Sequence, residues 1–450
     1  MRKGDAMTVE GATVRTIDWR SVTPWNLLFR LGSLAASPTL VLLALVGVLA
    51  GSLWWTLGGI VFSIGDAKWR DSTAFAAVIE GHESPGRPIS GSDTGGVAPV
   101  AEYLASPFAM LLQLRPDSGL QEFAYLIWGA FGTLAVWSLI GGALARIAVM
   151  RLGRDEHVGP IEALKFAVRR YPAFFCSALY PLGLLIPLAL VGAAVGLVMR
   201  WDAGAAIVSI AWGLGLAVSF VLSVLLIGIL FGWPLMIVTV AAEGTDSLDG
   251  LSRGFAYPFQ RPVHYAFYLV VGGAIAVGAV WVASILAMQV GQVTWWSVSW
   301  GMGAERTVEL MTEAERLGRG VTLAADDETP PRLASGTIAL WERLVGAMLV
   351  AFRFACFWSL AAGIYLLLRR DVDETEFDEL FSEGGDPRSL PDLDARQVAP
   401  EPKSDEGSRP TAATAPPATA PTTTDTPGAE PPRNEPPKND AEPDEPVRDE

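Results

Sequence analysis

Long apolar runs, each about the length of a membrane-crossing helix, dominate the pattern of hydrophobic and polar positions along the chain. A helix that rises about 1.5 Å per residue needs about 20 apolar residues to cross a hydrocarbon core of about 30 Å. A backbone in lipid must satisfy its own hydrogen bonds, so each such run predicts a helix. Six runs qualify, at approximately 39–64, 123–146, 173–199, 205–232, 264–290 and 344–368. The pattern predicts an all-α, polytopic membrane protein with about six transmembrane helices.

The run 204–242 leaves two interpretations open because it carries no charged residue. It is longer than one straight span and shorter than two spans with a turn. Pro234 lies inside it, and proline removes a backbone donor and kinks a helix. We interpret the run as one span, 205–232, with a bent extension to 242. Two spans would place the two ends of the chain on opposite sides of the membrane.

Shorter helices are predicted beside the spans. An interfacial helix over 24–36 begins at Pro24, with Trp25, Leu28, Phe29 and Leu31 on one face. Pro38 then opens the first span, which is too long to be the apolar region of a cleavable signal peptide. Two further helices are expected in the loops, at 101–114 and 304–317, beside an irregular stretch at 81–98.

Two segments between spans resemble each other. Residues 159–172 and 245–262 each hold a short amphipathic stretch with arginine, then a proline, then aromatic residues that lead into the next span. Asp246 or Ser247 is the expected N-cap of the second stretch. The pattern suggests two span–amphipathic helix–span units, 123–199 and 205–290, and such repeats are common in transporters. Convergent patterning of two hairpins explains the same likeness, and both interpretations stay open.

Charge divides the chain into a neutral body and an acidic end. The net charge is −15, and residues 371–450 hold 22 Asp and Glu against 7 Lys and Arg, which accounts for the whole excess. The same segment holds 15 of the 31 prolines. Such a composition buries too little apolar surface to fold, which predicts a disordered tail. The predicted divisions are a cytoplasmic N-terminus (1–38), a membrane domain (39–370) and the tail (371–450).

Basic residues near the helix ends predict the orientation. Lys and Arg cluster in 146–172, in the N-terminal segment and directly after the last span, and with six spans all of these fall on one side. That side is expected to be cytoplasmic, so both termini are predicted in the cytoplasm and the membrane is the cytoplasmic (inner) membrane. Trp295, Trp296 and Trp300 lie at the opposite side, either as interfacial anchors or packed within a loop.

No motif indicates an enzyme or a cofactor. The two cysteines lie inside apolar runs, the three histidines lack metal-ligand spacing, and neither a Walker A sequence nor GxSxG or GxGxxG is present. Residues 371–382 look superficially like a calcium loop, but Glu376 replaces its required glycine and Ser382 its bidentate glutamate. We therefore expect no catalytic residue, no cofactor and no metal. Three GxxxG pairs, which favour close helix contacts within the protein, begin at Gly47, Gly192 and Gly228.

Arg353 is the strongest single candidate for a functional residue, because it is charged and lies well inside a predicted span. An arginine there is costly in lipid, so it should face protein or water. Glu122, at the start of the second span, is its predicted partner. The pair is either a polar intramembrane site for an anion or headgroup, or a structural pairing, which is the interpretation we favour.

Parts of the chain resemble known membrane proteins. Residues 364–369 (IYLLLR) and 371–379 (DVDETEFDE), the aromatic-rich N-terminal stretch and the segment EALKFAVRRYP resemble uncharacterised multi-pass membrane proteins of planctomycete bacteria. The resemblance covers most of 15–380 and implies a bacterial inner-membrane protein without assigning residue roles. The two span–helix–span units are also distantly similar to the membrane domain of some glycerophosphodiester phosphodiesterases, whose catalytic barrel has no counterpart here.

These patterns favour a non-enzymatic interaction or organising component of the cytoplasmic membrane. Its expected partners are the lipid bilayer and a protein bound through the tail at 383–450, with no nucleic acid. The alternative is a transporter or permease subunit built on the two units. A transporter would need a polar cavity between them, for which the candidate lining residues are Ser177, Ser219, Ser223, Gln289 and Arg353.

Overall fold

The computed structural model of the protein describes residues 23–62, 96–112, 119–183, 185–318 and 330–381. These residues form a 3-10 helix and thirteen α-helices and no strand, which confirms the all-α class. The 3-10 helix is Pro24–Arg30. The α-helices are α1 (Leu31–Ala35), α2 (Pro38–Val61), α3 (Ala98–Leu112), α4 (Leu120–Gly153), α5 (Pro160–Arg169), α6 (Tyr171–Gly183), α7 (Leu185–Val198), α8 (Asp202–Ile210), α9 (Trp212–Glu243), α10 (Ser247–Gln260), α11 (Pro262–Met302), α12 (Ala304–Gly318) and α13 (Pro330–Asp373). The predicted irregular stretch and the predicted disordered tail lie outside the described residues, apart from 96–98 and 371–381.

Five helices among the described residues are long and apolar enough to cross a membrane: α2, α4, α9, α11 and α13. Each overlaps one of the predicted spans. The predicted span 173–199 is helical as α6 and α7, which lie on the two sides of residue 184, a position outside the described residues.

The apolar run 204–242 also differs in detail from its prediction. The helix α9 is continuous through Pro234 and ends at Glu243, so the predicted bent extension belongs to the span itself. The helix break lies earlier, at Ala211, between α8 and α9. The run therefore holds one long span and not two.

Contacts between the long helices fix their directions. Trp54 stacks on Trp128, whereas a Cβ on Gly47 would contact Trp137, so α2 and α4 are antiparallel. Trp137 stacks on Phe354, and a Cβ on Gly141 would meet Trp358. The contacts therefore pair position 137 with 354 and position 141 with 358, and the residue numbers rise together along the two helices. Helices α4 and α13 thus run in the same direction.

Helix α9 shares that direction, because Arg146 near the end of α4 hydrogen-bonds the carbonyl of Ala241 near the end of α9. The helices α4, α9 and α13 therefore all finish at one end of the bundle, which we call the arginine end. The chain between α4 and α9 must return across the bundle, and α6 and α7 occupy the position of the predicted third span.

The core lies in the half of the bundle nearest the arginine end. Nearly every side chain is buried in 140–150 of α4, 235–242 of α9 and 354–368 of α13. By contrast, the first part of α9 exposes large apolar side chains such as Leu214, Phe220 and Leu230. Exposed apolar surface on a long apolar helix suits contact with lipid.

Helix α3 confirms the predicted helix at 101–114. It does not lie in a loop apart from the spans, as was expected, but packs against them. Val100 and Tyr103 are buried, and the Tyr103 ring meets the edge of Phe354 at 5.7 Å. Gly96, just before the helix, has φ +59° and lies so close to Val277 of α11 that a Cβ would approach it to 2.5 Å. The helix is therefore inserted between α4, α11 and α13.

The two amphipathic stretches form α5 and α10, and Asp246 caps α10 by accepting a hydrogen bond from the backbone N–H of Asp249 at 2.9 Å. This confirms the cap. Helix α10 runs back along α9, where Gly232 faces the carbonyl of Gly254 and Gly228 faces Phe259. The two units share their order of elements, and their origin as a repeat stays a prediction.

The predicted interfacial helix at 24–36 begins at Pro24 as expected, but its buried face is different. Leu28, Leu31 and Leu34 are buried, whereas Phe29 is exposed. The segment starts as a 3-10 helix with about three residues per turn, which aligns every third residue. The α-helical period used for the prediction placed Phe29 on the wrong side. The predicted helix at 304–317 is confirmed as α12.

Candidate functional site

Glu243 is the centre of a polar network at the arginine end. It is the last residue of α9, and its side chain is 10 % exposed. Tyr365 of α13 donates a hydrogen bond to its Oε1 at 2.7 Å, and Arg369 Nε lies 3.2 Å from the same oxygen. Arg253 Nη1 of α10 lies 2.8 Å from both carboxylate oxygens. One carboxylate therefore joins α9, α10 and α13.

Arg253 connects this carboxylate to two others. Its Nε donates to Asp249 Oδ1 at 3.2 Å, and its Nη1 lies 3.5 Å from Asp373 Oδ2. Tyr257 also donates a hydrogen bond to Asp373. Burial, followed by this hydrogen bond, raises the pKa of Tyr257 above its usual value, so the phenol stays protonated.

A third tyrosine–carboxylate pair extends the network to α11. Tyr268 donates a hydrogen bond to Asp371 Oδ2 at 2.7 Å. Together with the Tyr365–Glu243 and Tyr257–Asp373 pairs, it fixes α9, α10 and α11 to the end of α13. The network thus holds the C-terminal turn of α13 in place, from which the next segment begins.

Residues 374–381 follow α13 and dock back onto the bundle; we call this segment the strap. It is held by three arginines at the ends of α4 and α13. Arg146 donates to the carbonyls of Ala241 at 2.8 Å and of Phe381 at 2.6 Å. Arg154 Nε donates to the carbonyl of Asp378 at 2.7 Å, and Arg369 Nη1 to that of Glu379 at 2.7 Å. The backbone N–H of Phe381 in turn donates to the carbonyl of Ala242 at 3.0 Å.

The groove formed by Arg146, Arg154 and Arg369 is almost closed to solvent, since these residues are 5 %, 8 % and 8 % exposed. We call it the arginine groove. Guanidinium groups also lie over the two aromatic rings of the strap, Arg370 at 5.2 Å from Phe377 and Arg170 at 5.7 Å from Phe381. Five arginines therefore surround an eight-residue segment.

Glycines let the strap approach the helices closely. A Cβ on Gly153 would lie 2.5 Å from the carbonyl oxygen of Phe377, and one on Gly244 would lie 2.7 Å from the Phe381 ring. Gly244 also has φ +60°, a conformation that favours glycine and ends α9. Leu380 is buried, while the four acidic side chains of the strap, Glu374, Glu376, Asp378 and Glu379, point to solvent.

The arrangement holds an extended segment of the chain by its backbone. The arginines donate to the carbonyl oxygens of Asp378, Glu379 and Phe381, and guanidinium groups in general also bind carboxylate and phosphate oxygens. The tyrosines and carboxylates engage one another or an arginine. Across the described ranges, no group of three or more His, Cys, Asp or Glu is placed to hold a metal ion.

The chain matches no protein-family model, no curated protein and no solved structure. Its resemblance to planctomycete membrane proteins and to phosphodiesterase membrane domains therefore stays a prediction. The site must be interpreted from its own geometry.

Arg353, the sharpest sequence candidate, lies away from this network. It is 7 % exposed within α13, next to Phe354, which stacks on Trp137 at 3.9 Å. This confirms that it faces protein. Glu122 lies 15 residues before Trp137 on α4, which corresponds to about 22 Å along the helix. The structure does not bring Glu122 and Arg353 together.

The residues proposed to line a transport cavity also lie apart. Ser177 is buried and donates to the carbonyl of Phe174, whereas Ser219, Ser223 and Gln289 are exposed on the outside of α9 and α11. With Arg353 inside α13, these side chains do not converge. A cavity of about 150 Å³ at the arginine end, lined by the 3-10 helix, Leu152 and Phe377, is smaller than typical ligand sites of roughly 300–1,000 Å³.

The sequence analysis missed the arginine groove and the strap. It placed 371–379 in the predicted disordered tail, whereas α13 continues to Asp373 and the next eight residues are docked. A signal was present, because Phe377, Leu380 and Phe381 interrupt the acidic run. Apolar residues at such spacing in a charged segment indicate contact with a surface.

Proposed function

We propose that the protein is a non-enzymatic organising component of the cytoplasmic membrane, in which the helix bundle holds an acidic contact arm. The observation that carries the proposal is the strap. Three arginines, four hydrogen bonds and a buried leucine fix 374–381 against the bundle, just before the predicted contact segment 383–450. Such an attachment suits a body that positions a long acidic tail at a defined point.

Two further observations support an interaction role. The polar side chains at the arginine end are engaged with one another, which suits a structural network more than a substrate site. The residues that a transport path would use face different surfaces. No observation favours the transporter interpretation specifically.

The cytoplasmic placement of the arginine end belongs to the same proposal. The arginines at the ends of α4 and α13 and on α10 gather there, and Lys and Arg near helix ends favour the cytoplasm. Both ends of the described chain lie at this end, because Thr23 and Phe377 line the same cavity. The membrane is then the inner membrane of a bacterium, and the tail is cytoplasmic.

The test is removal of the tail with the strap left in place. The full chain, a chain that ends at Glu383, and a chain with residues 384–450 in scrambled order are compared by cross-linking and co-purification. We expect the shortened and scrambled chains to lose specific partners while the bundle stays folded. Partners that persist in the shortened chain would overturn the proposal. Partners that are lost from the shortened chain but kept by the scrambled chain would show that the acidity of the tail, and not its sequence, is what binds them.

A further inference from the structure

The arginine groove has the chemistry of an anion site that the chain itself occupies. Arg146, Arg154 and Arg369 converge on a short stretch of backbone, 378–381, and Arg170 and Arg370 lie over the rings beside it. In these three hydrogen bonds the strap offers the guanidinium groups neutral carbonyl oxygens. Charged oxygens of a phosphate accept stronger hydrogen bonds from guanidinium groups, often in pairs.

The strap also has features of a segment that can leave. It has no helix or strand of its own, and three hydrogen bonds from the groove go to its backbone carbonyls, so these three do not depend on the identity of its side chains. Glu374, at its junction with α13, has φ +56°, a strained conformation for a residue other than glycine.

We propose that residues 374–381 form a releasable strap over an anion-binding groove made by Arg146, Arg154 and Arg369, which accepts a phosphate-bearing anion when the strap leaves. The anion is either a phospholipid headgroup or free phosphate, since both offer the same oxygens. The proposal does not depend on the function of the tail, because its test measures the strap and the anion directly.

Glycine substitutions release the strap without altering an arginine. Gly153→Ala places a methyl group 2.5 Å from the Phe377 carbonyl oxygen, and Gly244→Ala places one 2.7 Å from the Phe381 ring. Gly159→Ala is the matched control, because a Cβ there meets nothing within 4 Å. In the full-length protein, we expect hydrogen exchange of the amides of 374–381 to become about tenfold faster in both strap variants than in the control.

Anion binding is then measured with two probes. Inorganic phosphate is titrated by calorimetry onto detergent-solubilised protein, and native mass spectrometry counts lipids retained from nanodiscs of phosphatidylglycerol or phosphatidylcholine. The strap variants should bind more of at least one anionic probe than Gly159→Ala, and adding Arg154→Gln should remove the gain. A gain with phosphate identifies a free anion as ligand, and a gain with phosphatidylglycerol alone identifies a headgroup.

Two results would overturn the proposal. If exchange in 374–381 equals that of the control in both strap variants, the segment is not releasable. If exchange rises but neither probe gains, or the gain survives Arg154→Gln, the groove is not an anion site. A loss of specific partners in the tail-deletion experiment affects neither result, so failure of this proposal and failure of the organising role can be told apart.

Discussion

At the scale of single residues, Glu243 decides how the arginine end is assembled. It is the first charged residue after the uncharged run 204–242, and it follows eight consecutive buried residues of α9. Tyr365, Arg369 and Arg253 all reach its carboxylate, so two arginines share one carboxylate whose side chain is only 10 % exposed. A buried charge is tolerated when it is paired and hydrogen-bonded in this way.

Removing the charge of Glu243 should destabilise the bundle strongly. Glu243→Gln leaves Arg369 and Arg253 without their shared carboxylate, and breaking a buried pair costs about 3–5 kcal/mol. The measurement is thermal unfolding in detergent with a thiol-reactive dye that reports the buried Cys356, in a Cys176→Ala background. The matched control is Glu309→Gln, whose pair with Arg306 is 58 % and 43 % exposed and is worth roughly 0–1 kcal/mol. Equal losses in the two variants would contradict this account.

The raised pKa of Tyr257 leads to a prediction for how the stability of the folded protein changes at alkaline pH. Burial and the hydrogen bond to Asp373 raise its pKa in the folded protein, so folding favours the protonated phenol. Its contribution is complete below the unfolded pKa of about 10 and is lost as pH rises through the higher folded value. The unfolding midpoint should therefore hold steady to about pH 9 and fall above about pH 10, with a smaller fall in Tyr257→Phe. An unchanged alkaline fall in that variant would show that Tyr257 is not part of it.

At the scale of elements, tryptophans packed against glycines hold α2 and α4 together. Trp54 and Trp128 stack at 4.3 Å, and each indole N–H donates to the backbone carbonyl of the other residue. Gly129 and Gly132 of α4 leave room for Trp55 and Trp54. The GxxxG pairs that begin at Gly47 and Gly228 likewise pack within the protein, whereas a Cβ added at either glycine of the pair that begins at Gly192 would meet nothing within 4 Å.

Filling one of these spaces should separate the two helices. A Cβ at position 132 would lie 1.8 Å from Trp54 Nε1, so Gly132→Ala must displace the indole and its hydrogen bond. Overpacking of this kind costs about 1–3 kcal/mol. Gly59→Ala on α2 is the control, since a Cβ there meets nothing within 4 Å. We expect a lower unfolding midpoint in the same dye assay for Gly132→Ala only, and a matching fall in Gly59→Ala would show a general effect of helix glycines.

At the scale of the whole molecule, α4, α9 and α13 share one direction and α2 is antiparallel to α4, which is the arrangement expected of an even number of crossings. Five helices among the described residues have the length and hydropathy of spans, and the pair α6 and α7 returns the chain between α4 and α9. The two ends of the described chain accordingly meet at the arginine end. The extended, apolar first half of α9 lies away from that core, where lipid contact is expected.

This topology predicts the result of reporter fusions in a bacterial inner membrane. Fusions before residue 23 and after residue 383 should both report the cytoplasm, and a fusion at Gly303, between α11 and α12, should report the opposite side. The basis is the concentration of Lys and Arg at the arginine end. The two terminal fusions serve as controls for each other, and an external signal from the C-terminal one would require an odd number of crossings.

The sequence by itself determined the helical class, the positions of the spans and most helix starts. Hydropathy is a local property, and proline and capping residues act within one turn, so Pro38, Pro262 and Asp246 mark real helix starts. The sequence also located the charge division near the end of the last span.

Only the tertiary structure decided the candidate site. Arg146, Arg253 and Arg369 are ordinary interfacial arginines in the sequence, and their convergence on Glu243 and on 378–381 depends on helices far apart in the chain. Likewise the insertion of α3 between spans, and the separation of Glu122 from Arg353, follow from helix directions and packing. Local patterns fix which residues form helices, but contacts between distant helices fix which side chains meet.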